Sequence, residues 1–518
     1  MVWKILGVVV LWVHCSLSVE VNDIMLKTMQ EKEAFWDEEK RIASTQIQSQ
    51  SVVSSSPCVN GKAGVYPCKN INMLARMTSA DLGVDSYTSD MWGWVDPVEN
   101  REYGIVCGGT STSIVDITVP ESPVTVAIVP GSDAGSSYWC DVKVYRNSAY
   151  IIRDAVKIGG LQVFDLTRLR TLRHESGIST AVRDTHLTDI FTKAHNVIIN
   201  EDSGTLYVVG AKDKCSGGLV IFDLANPLIP VYVNCVSSEG YTHDAQCVTY
   251  AGPDSAYNGK EICISFNQNK IVVTDHTLQN QVKRLSSTSY YKIGYTHQGW
   301  LTPDHSYMVV NDELDEYRGL YGGKTRTIIL DMRSLKKPKV IGQYVSSETS
   351  IDHNNYIWPS QPNLAYQANY CAGLRILDVS NISVAVLREV AYFDVNPSCS
   401  KATFSGAWSN FLFPSGVAIV NNFADALFIL KVQTELLQLG SATLTWDTIS
   451  KKSCRYRKRN IMKRITVSEI PQCLNQCESD LNCQALIHYG NKCLFLNSCT
   501  RLRKNRRAVV YRKSITSN

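Results

Sequence analysis

Past its first eighteen residues, the chain has no apolar run approaching the roughly 18 residues needed to cross a bilayer, so no later segment reads as a membrane span. It has no G-x-S-x-G turn to expose a hydrolase serine and no glycine-rich phosphate loop, because Gly108-Gly109 and Gly322-Gly323 stand as isolated turns. Charged residues make up only 19% of the chain against a hydrophobic fraction of 44%, a balance that excludes a disordered or fibrous protein. Histidine is scarce, at 10 of 518 residues, so its recurrence at one structural position carries information.

Cysteine is plentiful. Of the 17, Cys15 falls in an N-terminal segment with Lys4, an apolar run from Leu6 to Val13, and small residues Ser16 and Ser18 at the spacing of a signal-peptidase site. Residues 1–18 therefore read as a signal peptide, and the mature protein as secreted and extracellular. The sixteen remaining cysteines split into ten from Cys58 to Cys399 and six from Cys454 to Cys499, which suggests two separately stapled domains. Near neighbours are the natural pairs (Cys58 with Cys68, Cys215 with Cys235, Cys247 with Cys263), although spacing alone does not fix connectivity.

Residues 19–57 read as a short helix, with Met25, Met29 and Phe35 at helical spacing, and a Ser-rich linker, with no chemistry expected of either. A repeat follows. Apolar strands closing in Asp recur at Ser113–Asp116, Gln162–Asp165, Val220–Asp223, Val272–Asp275, Ile328–Asp331 and Arg375–Asp378, and a seventh copy, Phe428–Lys431, ends in Lys. The steps between closing residues are 49, 58, 52, 56, 47 and 53, a period that points to propeller blades. The closing Asp is expected to accept hydrogen bonds from backbone N–H groups of the following turn. A second register opens each unit: Trp92-Gly-Trp94, Trp139-Cys-Asp141, His195-Asn196, Tyr241-Thr-His243-Asp244, Tyr295-Thr-His297-Gln298, Asp352-His353-Asn354 and Trp408-Ser-Asn410. The predicted fold class is thus all-β, a seven-bladed propeller over residues 58–435, and the segment after Cys68 is expected to supply a strand to the last blade.

The strand motif resembles the LVIVD repeat. With Gly240–Cys247, Gly294–Trp300, Asn311–Glu316 and Phe404–Asn410, residues Cys58 to Gln433 resemble the choice-of-anchor B family of extracellular proteins. That resemblance implies the fold and a surface or secreted setting, without implying a reaction. Beyond a linker over 436–450, residues 451–518 hold Cys454, Cys473, Cys477, Cys483, Cys493 and Cys499 around Ala485-Leu-Ile487 and resemble a small α+β PAN/apple domain. The resemblance implies pairs Cys473–Cys493 and Cys477–Cys483, and a role in binding proteins or carbohydrates.

In a propeller the first strand of each blade lines the axial channel. His195, His243, His297 and His353, repeated over four consecutive blades, should therefore face one axis, with Trp94 and Trp408 at the corresponding places of two others. Four imidazoles can ligate Cu, Zn or Fe, with Asp141, Asp244 and Asp352 as further ligands or as acceptors that fix the ring tautomers. Alternatively, these are polar channel residues satisfied by water and carboxylates. The acidic run Asp312, Glu313, Asp315 and Glu316 reads as a solvated loop, a Ca²⁺ site or a flap over the channel mouth.

The net charge of +4 hides an asymmetry: residues 451–518 carry a net +13 and the rest a net −9. Two clusters dominate the tail: Lys451, Lys452, Arg455, Arg457, Lys458, Arg459, Lys463 and Arg464, and then Arg501, Arg503, Lys504, Arg506 and Arg507. The signal peptide argues against nucleic acid, so the expected partners are sulfated glycosaminoglycans or extracellular proteins, bound by salt-sensitive attraction. Asn381-Ile-Ser383 is a sequon for N-glycosylation. Two functions stand side by side: an extracellular binding or matrix protein tethered by its basic module, and an extracellular metalloenzyme with a four-histidine site.

Overall fold

The computed structural model of the protein describes residues 27–39, 41, 55–84, 87–131, 135–173, 178–181, 183–424, 426–437, 439, 442–454, 461–466, 485–489, 492–496 and 502–517. The predicted signal peptide lies outside them.

Seven sheets form the propeller, antiparallel but for a short parallel edge, Ser179–Thr180 on Val124–Pro130, and their innermost strands are Thr88–Val95, Cys140–Tyr145, Asn196–Asn200, Asp244–Thr249, Thr296–Leu301, Asn354–Ile357 and Ala407–Leu412. Strands such as Leu219–Asp223 are apolar and buried up to their closing Asp because both faces are covered by neighbouring blades. One apolar cluster fills each gap between adjacent blades around the ring. An eighth sits on the axis.

Six closing aspartates do the same local work. Asp116, Asp165, Asp223, Asp275, Asp331 and Asp378 each accept the backbone N–H two residues on, at 2.8–3.1 Å. Each caps the turn that leaves the third strand, which is why the residue recurs. In the seventh blade Lys431 instead donates to the Ser415 carbonyl at 2.5 Å.

The ring closes with a strand from its beginning. Ile71–Thr78, just after Cys68, pairs antiparallel with Ala426–Val432 and completes the seventh blade. Its strict alternation of buried and half-buried residues is that of an outer strand with one face on the core. Five disulfides lie in the propeller: Cys58–Cys68, Cys107–Cys140, Cys215–Cys235, Cys247–Cys263 and Cys371–Cys399. Three join the near neighbours singled out by spacing. Cys107–Cys140 joins two adjacent blades, a pairing that spacing does not reveal.

A separate five-stranded antiparallel sheet, in the order Ala442–Cys454, Leu502–Ser517, Ala485–Tyr489, Lys492–Leu496 and Ile461–Thr466, occupies the C-terminal region. Cys493 is disulfide-bonded. Cys473, Cys477 and Cys483 lie outside the described residues, as do Arg455, Arg457, Lys458, Arg459 and Arg501. Lys451, Lys452, Lys463, Arg464, Arg503, Lys504, Arg506 and Arg507 fall on strands of this sheet.

Candidate metal centre on the propeller axis

The four histidines converge. Their rings follow one another around the channel, with centroids 4.5 Å apart for His195–His243, 4.3 Å for His243–His297 and 4.3 Å for His297–His353. Each sits at the start of an innermost strand, where the blade first reaches the axis. Gly210, with φ +75°, makes room for one of them: a Cβ there would lie 2.4 Å from the Cβ of His195.

Fixed acceptors set the tautomers. His243 Nδ1 donates to the His297 carbonyl at 2.9 Å, and His353 Nδ1 donates to the Trp408 carbonyl at 2.6 Å. His195 Nδ1 lies 3.1 Å from the Asp154 carboxylate. A carbonyl can only accept, so the Nδ1 proton is defined and Nε2 is left as a bare lone pair. Burial, with His195 and Lys32 adding, holds the His243 imidazole well below the usual range; burial and the flanking imidazoles do the same to His297. Burial lowers His353 to about 4 against the pull of Glu313. The imidazoles of His243, His297 and His353 are therefore held in the neutral form, which ligates metals.

The acidic run is not a solvated loop. Asp312, Glu313, Asp315 and Glu316 are buried, and Arg326 serves three of them: it pairs with Asp312 and Asp315, and its backbone N–H donates to Glu316 at 2.6 Å. Asp312 also accepts the backbone N–H groups of Gly294 and Tyr295 at 2.8 and 2.6 Å. Asp312, Asp315 and Glu316 thus form a buried network around the Arg326 guanidinium and backbone. Glu313 turns the other way and reaches the histidines. It lies 3.7 Å from His297 Nε2 and 3.6 Å from His353 Nε2, and one ligand atom from each of these three residues falls within 4.8 Å of the others.

The helix over 27–39 supplies the remaining wall, contrary to the expectation that it carries no chemistry. Lys32 Nζ meets Glu313 Oε1 at 2.5 Å, both side chains being buried. Burial raises the Glu313 carboxyl, but the Lys32 ammonium, His353 and the Tyr370 hydroxyl outweigh it and hold the group below its ordinary range. One turn on, Trp36 inserts among Tyr138, Trp139, Trp408 and Phe423 and donates its indole N–H to the Phe404 carbonyl at 2.8 Å. The helix is thus a lid over the ring.

The predicted carboxylates lie elsewhere. Asp352 accepts from Asn311 at 2.5 Å. Asp141 binds Lys143 at 2.6 Å and the Val197 N–H at 2.8 Å, and Asp244 lies in the electrostatic reach of the same lysine. Asp154 is the carboxylate on the ring that sequence reasoning passed over; its signal is an Arg-Asp pair ending an apolar strand. Trp94 does not stand at a histidine position either. A bulge between Thr88 and Met91 shifts the register, Trp94 stacks on Tyr103 at 5.4 Å, and Ser89 and Asp90 are the first blade's axial residues. Trp408 does take that place, 4.8 Å from the His353 ring. Asn381 is half-buried at the end of its strand.

No family model matches the chain, and no curated protein matches it in sequence. Solved structures do resemble it in fold. A protein from Lactobacillus plantarum shares 12% identity over 61% of this chain and 87% of its own, with a TM-score of 0.44. The WD40 propeller domain of Doa1 shares 12% over 69% and 96%, with a TM-score of 0.43. A chain of the COPII outer coat vertex on membranes shares 11% over 66% and 84%, at 0.46.

Proposed function

We propose that this chain is a secreted metalloprotein in which His195, His243, His297, His353 and Glu313 hold a first-row transition ion on the propeller axis. The observation that supports it most is a set of buried donors with nothing to bind. His195 Nε2 and His243 Nε2 lie 2.9 Å apart, each with its other nitrogen directed at a fixed acceptor. Two lone pairs at that distance repel unless a proton or a cation joins them. Glu313 Oε2 and His297 Nδ1 are buried without a hydrogen-bond partner, and such groups cost about 1–3 kcal/mol each when left unsatisfied. Imidazole and carboxylate donors suit Fe, Zn or Cu and leave Ca²⁺, which takes oxygen ligands, a poor fit. Asp154 and the carbonyls of His297 and Trp408 then act as the partners that orient metal-bound imidazoles, and Lys32 steadies Glu313 through its other oxygen.

The test is metal analysis of protein purified without an affinity tag. A stoichiometric ion, lost when His243 and His297 are changed to Ala, is the expected result. A metal-free, fully stable wild-type protein would overturn the reading.

The net +13 of residues 451–518 supports a second role, as an apple-like tether to sulfated glycosaminoglycans or extracellular proteins. It is compatible with the first, since the two fall on different parts of the chain. The resemblance of the repeat to LVIVD strands, the signal peptide expected over residues 1–18 and the five propeller disulfides support the extracellular setting of both.

A further inference from the structure

Below the histidine ring the channel changes character. Asp90, Asp141 and Asp244 cluster with Lys143, whose ammonium lies 2.6 Å from Asp141 and 3.9 Å from Asp90. Three carboxylates therefore share one ammonium, and the group is short of positive charge. Asp244 Oδ1 accepts the Ala245 N–H at 2.7 Å, and the side chain, with Lys143, lines a cavity of about 470 Å³ at the end where the innermost strands finish.

The cavity's other conspicuous wall is aromatic. Trp92, Trp300, Tyr356 and Trp358 form one continuous surface, with ring centroids 5.5 Å apart for Trp92–Tyr356, 4.9 Å for Trp300–Tyr356 and 5.5 Å for Tyr356–Trp358. The Lys143 ammonium already sits over one face of it, 4.8 Å from the Trp92 centroid, so the protein itself places a cation against this surface. Ring faces attract cations, by about 0.5–2 kcal/mol depending on desolvation. Exposed Glu201 and Asp202 also line the cavity and extend its negative sign toward solvent, which would steer cations in and anions away. The Trp358 indole N–H is buried without an acceptor, leaving one donor for a ligand oxygen.

We infer that this cavity binds a small organic ammonium compound, its charge facing Asp244, with Asp90 and Asp141 behind it holding Lys143, and its apolar body lying on Trp92, Trp300, Tyr356 and Trp358. The volume fits a small molecule. An anion is disfavoured because the one ammonium it would seek is already held by two carboxylates. This site is independent of the metal reading, since it shares no residue with the histidine ring.

The test is calorimetric titration of the full chain with choline, with n-butylamine, with 3,3-dimethylbutan-1-ol (the uncharged isostere of choline) and with benzoate. Saturable binding of at least one cation is expected, with the neutral isostere weaker by about tenfold or more and benzoate silent. Asp244→Asn and Trp358→Leu should each weaken cation binding by about tenfold while melting as the wild type does. Equal binding of the isostere, preference for benzoate, no binding of either cation up to about 10 mM, or cation binding unchanged in both variants would each overturn the inference.

Discussion

Changing Trp36 to Ala should release the lid and leave the propeller intact. Trp36 is 2% exposed, touches five aromatic rings from four different stretches of the ring, and makes one buried hydrogen bond to a carbonyl. Truncating a buried Trp to Ala costs about 3–5 kcal/mol, which changes the ratio of docked to released lid by about 10² to 10⁴. Residues 27–39 of the lid are helical, and isolated helices shorter than about 12–15 residues are marginal in water, so once released this stretch should unfold. Among the described residues no blade sheet includes this segment, so the loss should stay local. Hydrogen exchange read by mass spectrometry is the assay: protection over residues 27–39 should fall by that factor in Trp36→Ala, while the blade strands keep theirs. Trp36→Phe, which keeps aromatic contact but leaves the Phe404 carbonyl without its donor, should cost about 1–3 kcal/mol, less than the Ala variant. Unchanged protection of the helix in Trp36→Ala, or equal loss across the blades, would refute the reasoning.

Other outcomes are expected. The ionised form of Asp90 is disfavoured in the folded protein, whose carboxyl titrates near 7 because of burial and the nearby Asp141. A raised folded pKa means that this group's contribution to stability is complete below its unfolded value near 4 and is lost as pH rises through 7. Asp90→Asn should therefore flatten the decline in unfolding free energy between about pH 4 and 7 seen for the wild type by denaturant titration, and an unchanged pH profile would count against this placement. Met73, fully buried on the closing strand, should cost about 2–5 kcal/mol when changed to Ala, read as a lower denaturation midpoint; a silent substitution would show that the strand does not close the ring. Binding to immobilised heparin should weaken steeply with salt and vanish on deletion of residues 451–518, and persistence in the truncated protein would rule out the tether.

The blades were legible because the same local problem is solved repeatedly: every third strand needs a cap for its turn, and an Asp two residues before a free N–H supplies it. The histidine ring was legible for a related reason, since equivalent positions of equivalent blades meet on the axis. Its other members were not. Glu313 sits in an acidic run that composition assigns to solvent, and only the buried Arg326 reveals why three of its neighbours turn inward and it does not. Lys32 precedes its partner by 281 residues, and nothing local about the helix marks it as a lid. Trp94 was misplaced because the Trp92-Gly-Trp94 motif lies near the far end of its strand, five residues past Ser89, the residue that reaches the axis.

An anomalous difference map, collected at the absorption edge of whichever metal the purified protein carries, tests the buried centre most directly. A peak about 2.0–2.2 Å from His297 Nε2, His353 Nε2 and Glu313 Oε2, with Lys32 still on the other carboxylate oxygen, is the predicted result. A map with no peak on the axis, or with its peak away from these three atoms, would contradict it.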